Sequence, residues 1–175
     1  LNIGETYLKV IRERFYSLKD LGEKTMEQIS EDEIHWKGNS ETNSVAILVK
    51  HLSGNMMSRW TDFLTSDGEK PDRNRDQEFI DDVSSKEELL TIWEEGWQIL
   101  FKTLHRLTEE DLLRKVFVRG KTLTVIEAIE RQLAHYASHV GQIVFIGKLI
   151  KGKDWVNLSI PKGMSEEYNK KVLEE

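Results

Sequence analysis

The sequence predicts an all-α fold, a bundle of four long helices with small accessory elements. Three observations predict it. Apolar residues recur every three or four positions through most of the 175 residues, the period of a helix that buries one face. Glycine and proline, which weaken or interrupt helices, are scarce inside those segments. Ser, Thr or Asn stands where the segments begin, in places with Glu three positions on, the pattern of a capping box. Four segments of roughly 20–25 residues in one domain pack most readily as a bundle.

The first helix is expected over Gly4 to Gln28, with Ile3, Tyr7, Val10, Ile11, Phe15 and Leu18 as its apolar stripe. Ser30 with Glu33 reads as the cap of a short turn, and His35, Trp36, Gly38 and Asn39 as a loop. The second helix is expected from Asn43 or Ser44 to Thr65, stopped by Ser66-Asp67-Gly68. The stretch from Gly68 to Asp82 is a polar connection, GEKPDRNRDQEFIDD, with charges of both signs. It is long for a bundle loop, and long loops are often functional or mobile. Ser84 with Glu87 opens the third helix, which carries Leu89, Ile92, Trp93, Leu100 and Leu104 and runs to Arg106. Thr108 to Asp111 starts a short helical turn, and Val116 to Leu123 forms a small hairpin or an extended detour. Thr124 with Glu127 caps the fourth helix, which ends at Ile150 before Lys151-Gly152. Ser165-Glu166-Glu167 begins a last short helix.

Length and composition fit one globular domain over residues 1–175, with 38% hydrophobic and 32% charged residues. The net charge is −6 and no Lys/Arg stripe forms, so nucleic acid is not an expected partner. No apolar run reaches the ~18 residues of a membrane span, and no signal-like segment precedes the first helix, so a cytoplasmic protein is expected. There is no cysteine. A reactive thiol would therefore have to arrive on a substrate or cosubstrate.

The chemistry-bearing signal is in the histidines. His135 and His139 stand four apart in ERQLAHYASHVGQIVFIGKLI, one turn apart on one helix face. His51 opens HLSGNMMSRW on the second helix. A helical wheel puts Ile126, Ile129, Leu133, Val140 and Val144 in an apolar stripe, with Ala128, Gln132, His135, His139, Gln142 and Ile146 beside it. Imidazoles at the border of a core ask for a metal or a carboxylate. Three nitrogens with open positions would make a catalytic rather than a structural site of the zinc type. Taken alone, the pair is as readily structural or superficial, and a lone His51 is more often a hydrogen-bonded residue at the core edge. Gln132, Gln142 and Asn55 are the nearest candidates to orient the ligands, and Arg59 and Trp60 could line a pocket. His35 and His105 read as non-ligands. Asp72, Asp76, Glu78, Asp81 and Asp82 read as a solvated loop, with a minority role for one of them at substrate or metal. Trp93 and Trp97 read as core. No phosphate-binding glycine loop, dinucleotide fingerprint, H-E-x-x-H motif or nucleophile elbow is present.

One histidine on helix two, with H-Y-A-S-H-V-G-Q-I from His135 to Ile143 on helix four, resembles the DinB/YfiT-like metalloenzyme family. Gln142 takes the place of a Gln common in that motif, and the likeness spans nearly the whole chain in element order. The segments NSVAILVKHLSGNMMSRWTDFLTSDGEKP and SIPKGMSEEYNKK are similar to a narrower, YizA-like subgroup of small Bacillus proteins. The resemblance implies a four-helix bundle with a long crossover between helices two and three, for which Gly68 to Asp82 is suited. It implies a divalent metal, nickel or zinc, held by His51, His135 and His139, and a homodimer. It also implies a thiol-dependent S-transferase acting on small electrophiles, with bacillithiol or a similar low-molecular-weight thiol as cosubstrate. A metal-dependent hydrolase and a non-catalytic, stress-linked metal-binding dimer are the alternatives.

Overall fold

Four helices of 16 to 27 residues dominate the chain, and each is started by a side chain that satisfies its first free N–H groups. The computed structural model describes residues 2–174; Leu1 and Glu175, the ends of the expected domain, lie outside the described residues. Helix α1 spans Ile3–Gln28, with Asn2 and Glu5 forming a reciprocal capping box. Its buried face is Leu8, Ile11, Phe15 and Met26, whereas Ile3 and Val10 of the expected stripe are exposed. Helix α2 spans Val45–Trp60 behind the Ser44 cap, α3 spans Lys86–Arg106 and α4 spans Val125–Lys151 behind the Thr124–Glu127 capping box. A short α5 covers Ser165–Glu174.

Three boundaries differ from expectation for local reasons. Helix α2 stops at Trp60 rather than Thr65 because the chain turns at Asp62, whose φ is 48°. The Asp62 carbonyl collects the backbone N–H groups of Thr65 and Ser66, and Phe63 turns into the core. The cap of α3 is Ser85, which accepts from the Glu88 N–H, while Ser84 donates to the Glu88 carboxylate. The box is thus shifted by one residue. His35 lies in a 3-10 turn at Asp32–His35 rather than in an open loop.

Side-chain pairs give the helix directions. Tyr7 reaches Glu130, and Thr25 lies against Gly147, so α1 and α4 run the same way. Gly96 lies on Ser53, and the Thr103 hydroxyl donates to the Trp60 carbonyl, so α2 and α3 run parallel too. Arg12 donates to Leu104 while Gly22 meets Trp93, which sets α1 antiparallel to α3. A Cβ on Gly96 would sit 2.8 Å from the Ser53 Cα, so this close approach of two helices requires glycine. The core centres on Phe15, Trp60, Trp97 and Tyr136, each no more than 1% exposed. Phe15 meets the other three rings at centroid distances of 6.0 to 6.4 Å in edge-on or tilted geometry.

Parallel α2 and α3 require the chain between them to travel back along α2, and it does so in an ordered path. Ser58 donates to the Gly68 carbonyl, Glu78 meets His51, Lys50 donates to the Ile80 carbonyl, and the Ser44 hydroxyl donates to Asp81. The start of this path is tied to a hairpin of β1, Lys115–Val118, and β2, Lys121–Thr124. Arg119 and Gly120 close it with φ of 55° and 71°, the two left-handed residues of a type I′ turn. Asp67 accepts from the backbone N–H groups of Glu69, Arg119 and Gly120, which clamps connection to hairpin. No helix among the described residues is long and apolar enough to cross a membrane.

Candidate metal centre

Helices α2 and α4 cross where Asn55 meets Tyr136, and the crossing turns three histidines toward one point. His51 is buried on α2, and His135 and His139 border the buried face of α4, one turn apart. That face is Ile129, Gln132, Tyr136, Val140 and Ile143, so the core stripe passes through Tyr136 and leaves the histidines on its flank. The His51 Nε2 lies 3.3 Å from the His135 Nε2, and the His139 Nε2 lies 3.1 Å from it. All three groups can offer nitrogens within 4.8 Å of one another.

The outer ring nitrogens set the tautomers of His51 and His139. The His51 Nδ1 is 2.9 Å from the Glu78 Oε2. A carboxylate only accepts, so this Nδ1 carries a proton, and a lone pair on the ring belongs to the inward-facing Nε2. The His139 Nδ1 stands 3.3 Å from the Gln142 Oε1, which favours the same arrangement. His135 has its pKa pushed down to about 4 by burial first, and then by the neighbouring His139, His51, Arg59 and Arg73. His139 is lowered too, by burial and by His51. Lowered values leave these two imidazoles neutral at pH 7, the state in which they donate to a metal.

Glu78 does not lie in a solvated loop: it is 8% exposed and takes the minority role left to one carboxylate of this stretch, a place beside the candidate ligands. Burial alone would raise its carboxyl, but hydrogen bonds from His51 and Arg73 outweigh that and hold it below the usual range. Arg73 grips it with two bonds, Nε at 2.7 Å and Nη2 at 2.9 Å, the fork geometry of a strong charged pair. Phe79 lies against the His51 ring with centroids 4.9 Å apart. Two sequence signals mark this contact. Phe79 is the one aromatic in the run from Gly68 to Asp82, and Gly54 is a mid-helix glycine three residues after His51. A Cβ on Gly54 would stand 2.5 Å from the Glu78 Oε1.

The other expected residues divide. Gln142 reaches His139. Asn55 does not contact a histidine; its Oδ1 accepts from the Tyr136 hydroxyl, which itself accepts from the Trp60 indole. Arg59 binds the Gly68 carbonyl and Glu69. Asn55, Arg59 and Gln132 line a cavity with His51 and His135. Trp60 is core, as are Trp93 and Trp97. His35 pairs with Asp81, and His105 with the Phe101 carbonyl, both away from the cluster.

Three imidazole nitrogens bound to one ion at zinc-like lengths, with angles between 90° and tetrahedral, are separated by roughly 2.9–3.4 Å. The His51–His135 and His135–His139 Nε2 separations fall in that range, and the His51–His139 pair lies within 4.8 Å. Two imidazoles with inward lone pairs and outer hydrogen bonds to a carboxylate and an amide oxygen, with the His135 ring between them, are a donor set that a divalent transition metal accepts. The residues therefore fit a divalent cation. Compared with known proteins, the chain matches the profile of the family described as Protein of unknown function (DUF1572) over residues 2–164. No curated protein matches it.

Proposed function

Since the chain belongs to the DUF1572 family, whose description names no reaction, we propose from its own site that it is a divalent-metal-dependent S-transferase. The observation that carries the proposal is the convergence of the His51, His135 and His139 Nε2 atoms, with Glu78 and Gln142 on the outer nitrogens. In this reading the four long helices form a DinB/YfiT-like bundle, and the path from Thr61 to Ser85 is its long crossover. The three histidines would hold nickel or zinc. Bound there, the ion would supply Lewis acidity and keep a coordinated thiol deprotonated near neutral pH.

The chain's residues supply the rest. Glu78 holds the His51 proton on Nδ1 and orients the ring, and Arg73 holds Glu78. Gln142 does the same for His139. The cavity beside His51 and His135 gives a small electrophile access to the site. The chain has no cysteine, so the sulfur belongs to a cosubstrate of the bacillithiol kind. A cytoplasmic homodimer is part of the same reading.

The first experiment measures metal content in the wild type and in His51→Ala and His139→Ala. Stoichiometric nickel or zinc in the wild type and its loss in both variants are expected. Metal retained in both would sink the three-histidine site. The second follows thiol consumption with bacillithiol and an epoxide, a halide and an enone. Metal-dependent acceleration is expected. Turnover without thiol would replace the transferase by a hydrolase, and no turnover in any combination would favour the non-catalytic dimer.

A further inference from the structure

The cavity in front of His51 and His135 is lined by five arginines, Arg59, Arg73, Arg75, Arg119 and Arg131. No carboxylate lines it among the described residues. This is unexpected in a chain of net charge −6. Two carboxylates stand behind the wall. Glu78 engages Arg73, and Glu69 is shared by Arg59, Arg119 and Arg73. Two acids against five guanidiniums leave the wall with an excess of positive charge, and low-dielectric walls focus such a field into the cleft.

The hydrogen-bonding groups point to the same ligand chemistry. Arg59 is 5% exposed, and its buried Nε has no hydrogen-bond partner. An N–H donor left so is costly unless something in the cavity accepts from it. Asn55 adds a second donor. The Tyr136 hydroxyl accepts from Trp60 and must therefore donate to the Asn55 oxygen. What Asn55 has left is its NH₂. Gln132, 4% exposed, also lines the cavity, and its Oε1 has no partner. An N–H or O–H elsewhere on the ligand would satisfy it.

We propose that this cavity binds an oxyanion, the carboxylate or phosphate of a small polyanionic ligand, beside the three histidines. Its volume of about 210 Å³ is below that of ordinary drug-sized sites and suits a short dicarboxylate or phosphoester rather than a nucleotide. That the anion belongs to a reacting molecule rests on the transferase reading above. The affinity for the anion does not.

The test is titration calorimetry on metal-loaded protein at low ionic strength, with malate and inorganic pyrophosphate as probes and neutral succinamide as control. Arg131 and Arg75 are exposed on the rim, so Arg131→Gln and the double variant with Arg75→Gln should fold, which far-UV circular dichroism checks. Binding of at least one anion, with no binding of succinamide, is expected. Each lost charge-assisted contact should weaken binding about tenfold. Tighter pyrophosphate assigns the cavity to phosphate, and tighter malate assigns it to carboxylate. Binding unchanged in the double variant, or an anion bound no better than succinamide, overturns the proposal. So does binding that survives in the arginine variants and disappears when metal is stripped, since the ion alone would then hold the anion. Metal content of the same samples separates the two readings. Full metal without anion affinity removes the anion site alone, and arginine-dependent affinity without metal removes the metal centre alone.

Discussion

Glu78 joins the charge of the connection to the tautomer of a candidate ligand, so its replacement reads both. In Glu78→Gln the amide still offers an oxygen to His51, but the charge that holds Arg73 and favours the His51 Nδ1 proton is gone. Partners of this kind usually matter about 10–100-fold in metal affinity. A loss of that size is expected in a competition titration against a chromogenic chelator, and an unchanged affinity would remove Glu78 from the site. Tyr136 tests the polar thread through the core. Tyr136→Phe leaves the Trp60 N–H without its acceptor and the Asn55 oxygen without its donor. About 1–3 kcal/mol of stability should be lost in urea denaturation, and no change would mean that water replaces the hydroxyl. At this scale His135 and His139 were legible because the spacing that joins them is local. Glu78 was not, because it meets His51 across 27 positions through a path with no fixed period.

The connection between α2 and α3 is the element on which the site depends. Gly54 is where it closes on α2. Alanine there gains about 1 kcal/mol of helix propensity, yet its Cβ would stand 2.5 Å from the Glu78 Oε1 and 2.8 Å from its Cδ. Gly54→Ala should therefore weaken metal affinity by displacing Glu78 while α2 itself remains helical. A variant both more stable and unimpaired in metal binding contradicts this packing. Asp67 fixes the other end of the path. Its carboxyl lies below the ordinary range because the backbone N–H groups of Glu69 and Gly120, and then of Arg119, donate to it. A carboxylate with a folded value below its unfolded one stabilises the fold above the unfolded value, here near 3.8, and loses that contribution as pH falls through the folded value. Asp67→Asn should flatten the acid limb of the stability curve and expose the connection to protease at pH 7. Urea midpoints from pH 3 to 7 check the first, and parallel acid limbs for both proteins would refute it. A polar run without a helical period gave no register for this element, so its order is visible only through contacts such as Asp67–Gly120 and Glu78–His51.

At the scale of the molecule, the helical character was legible because burial of one face writes a 3.6-residue period into the sequence. Helix directions were not, because they follow from cross-chain contacts such as Gly96 on Ser53. The same distinction separates the candidate site from the core. The cluster of Phe15, Trp60, Trp97 and Tyr136 is closed by apolar packing and by one tyrosine hydroxyl. The histidines lie on its flank, where α2, α4 and the connection meet. Such a molecule does not need an ion in order to fold, unlike a small domain whose core is its metal. Protein stripped with a chelator should keep its far-UV circular dichroism. An ion bound only to the folded state adds about 2.7 kcal/mol at a free concentration 100 times its Kd. For a chain of this length that is a rise in Tm of roughly 5–10 °C. Loss of helicity on stripping would show that the aromatic cluster is insufficient to hold the helices together. A Tm indifferent to nickel and zinc would show that the convergent histidines bind neither in the native state.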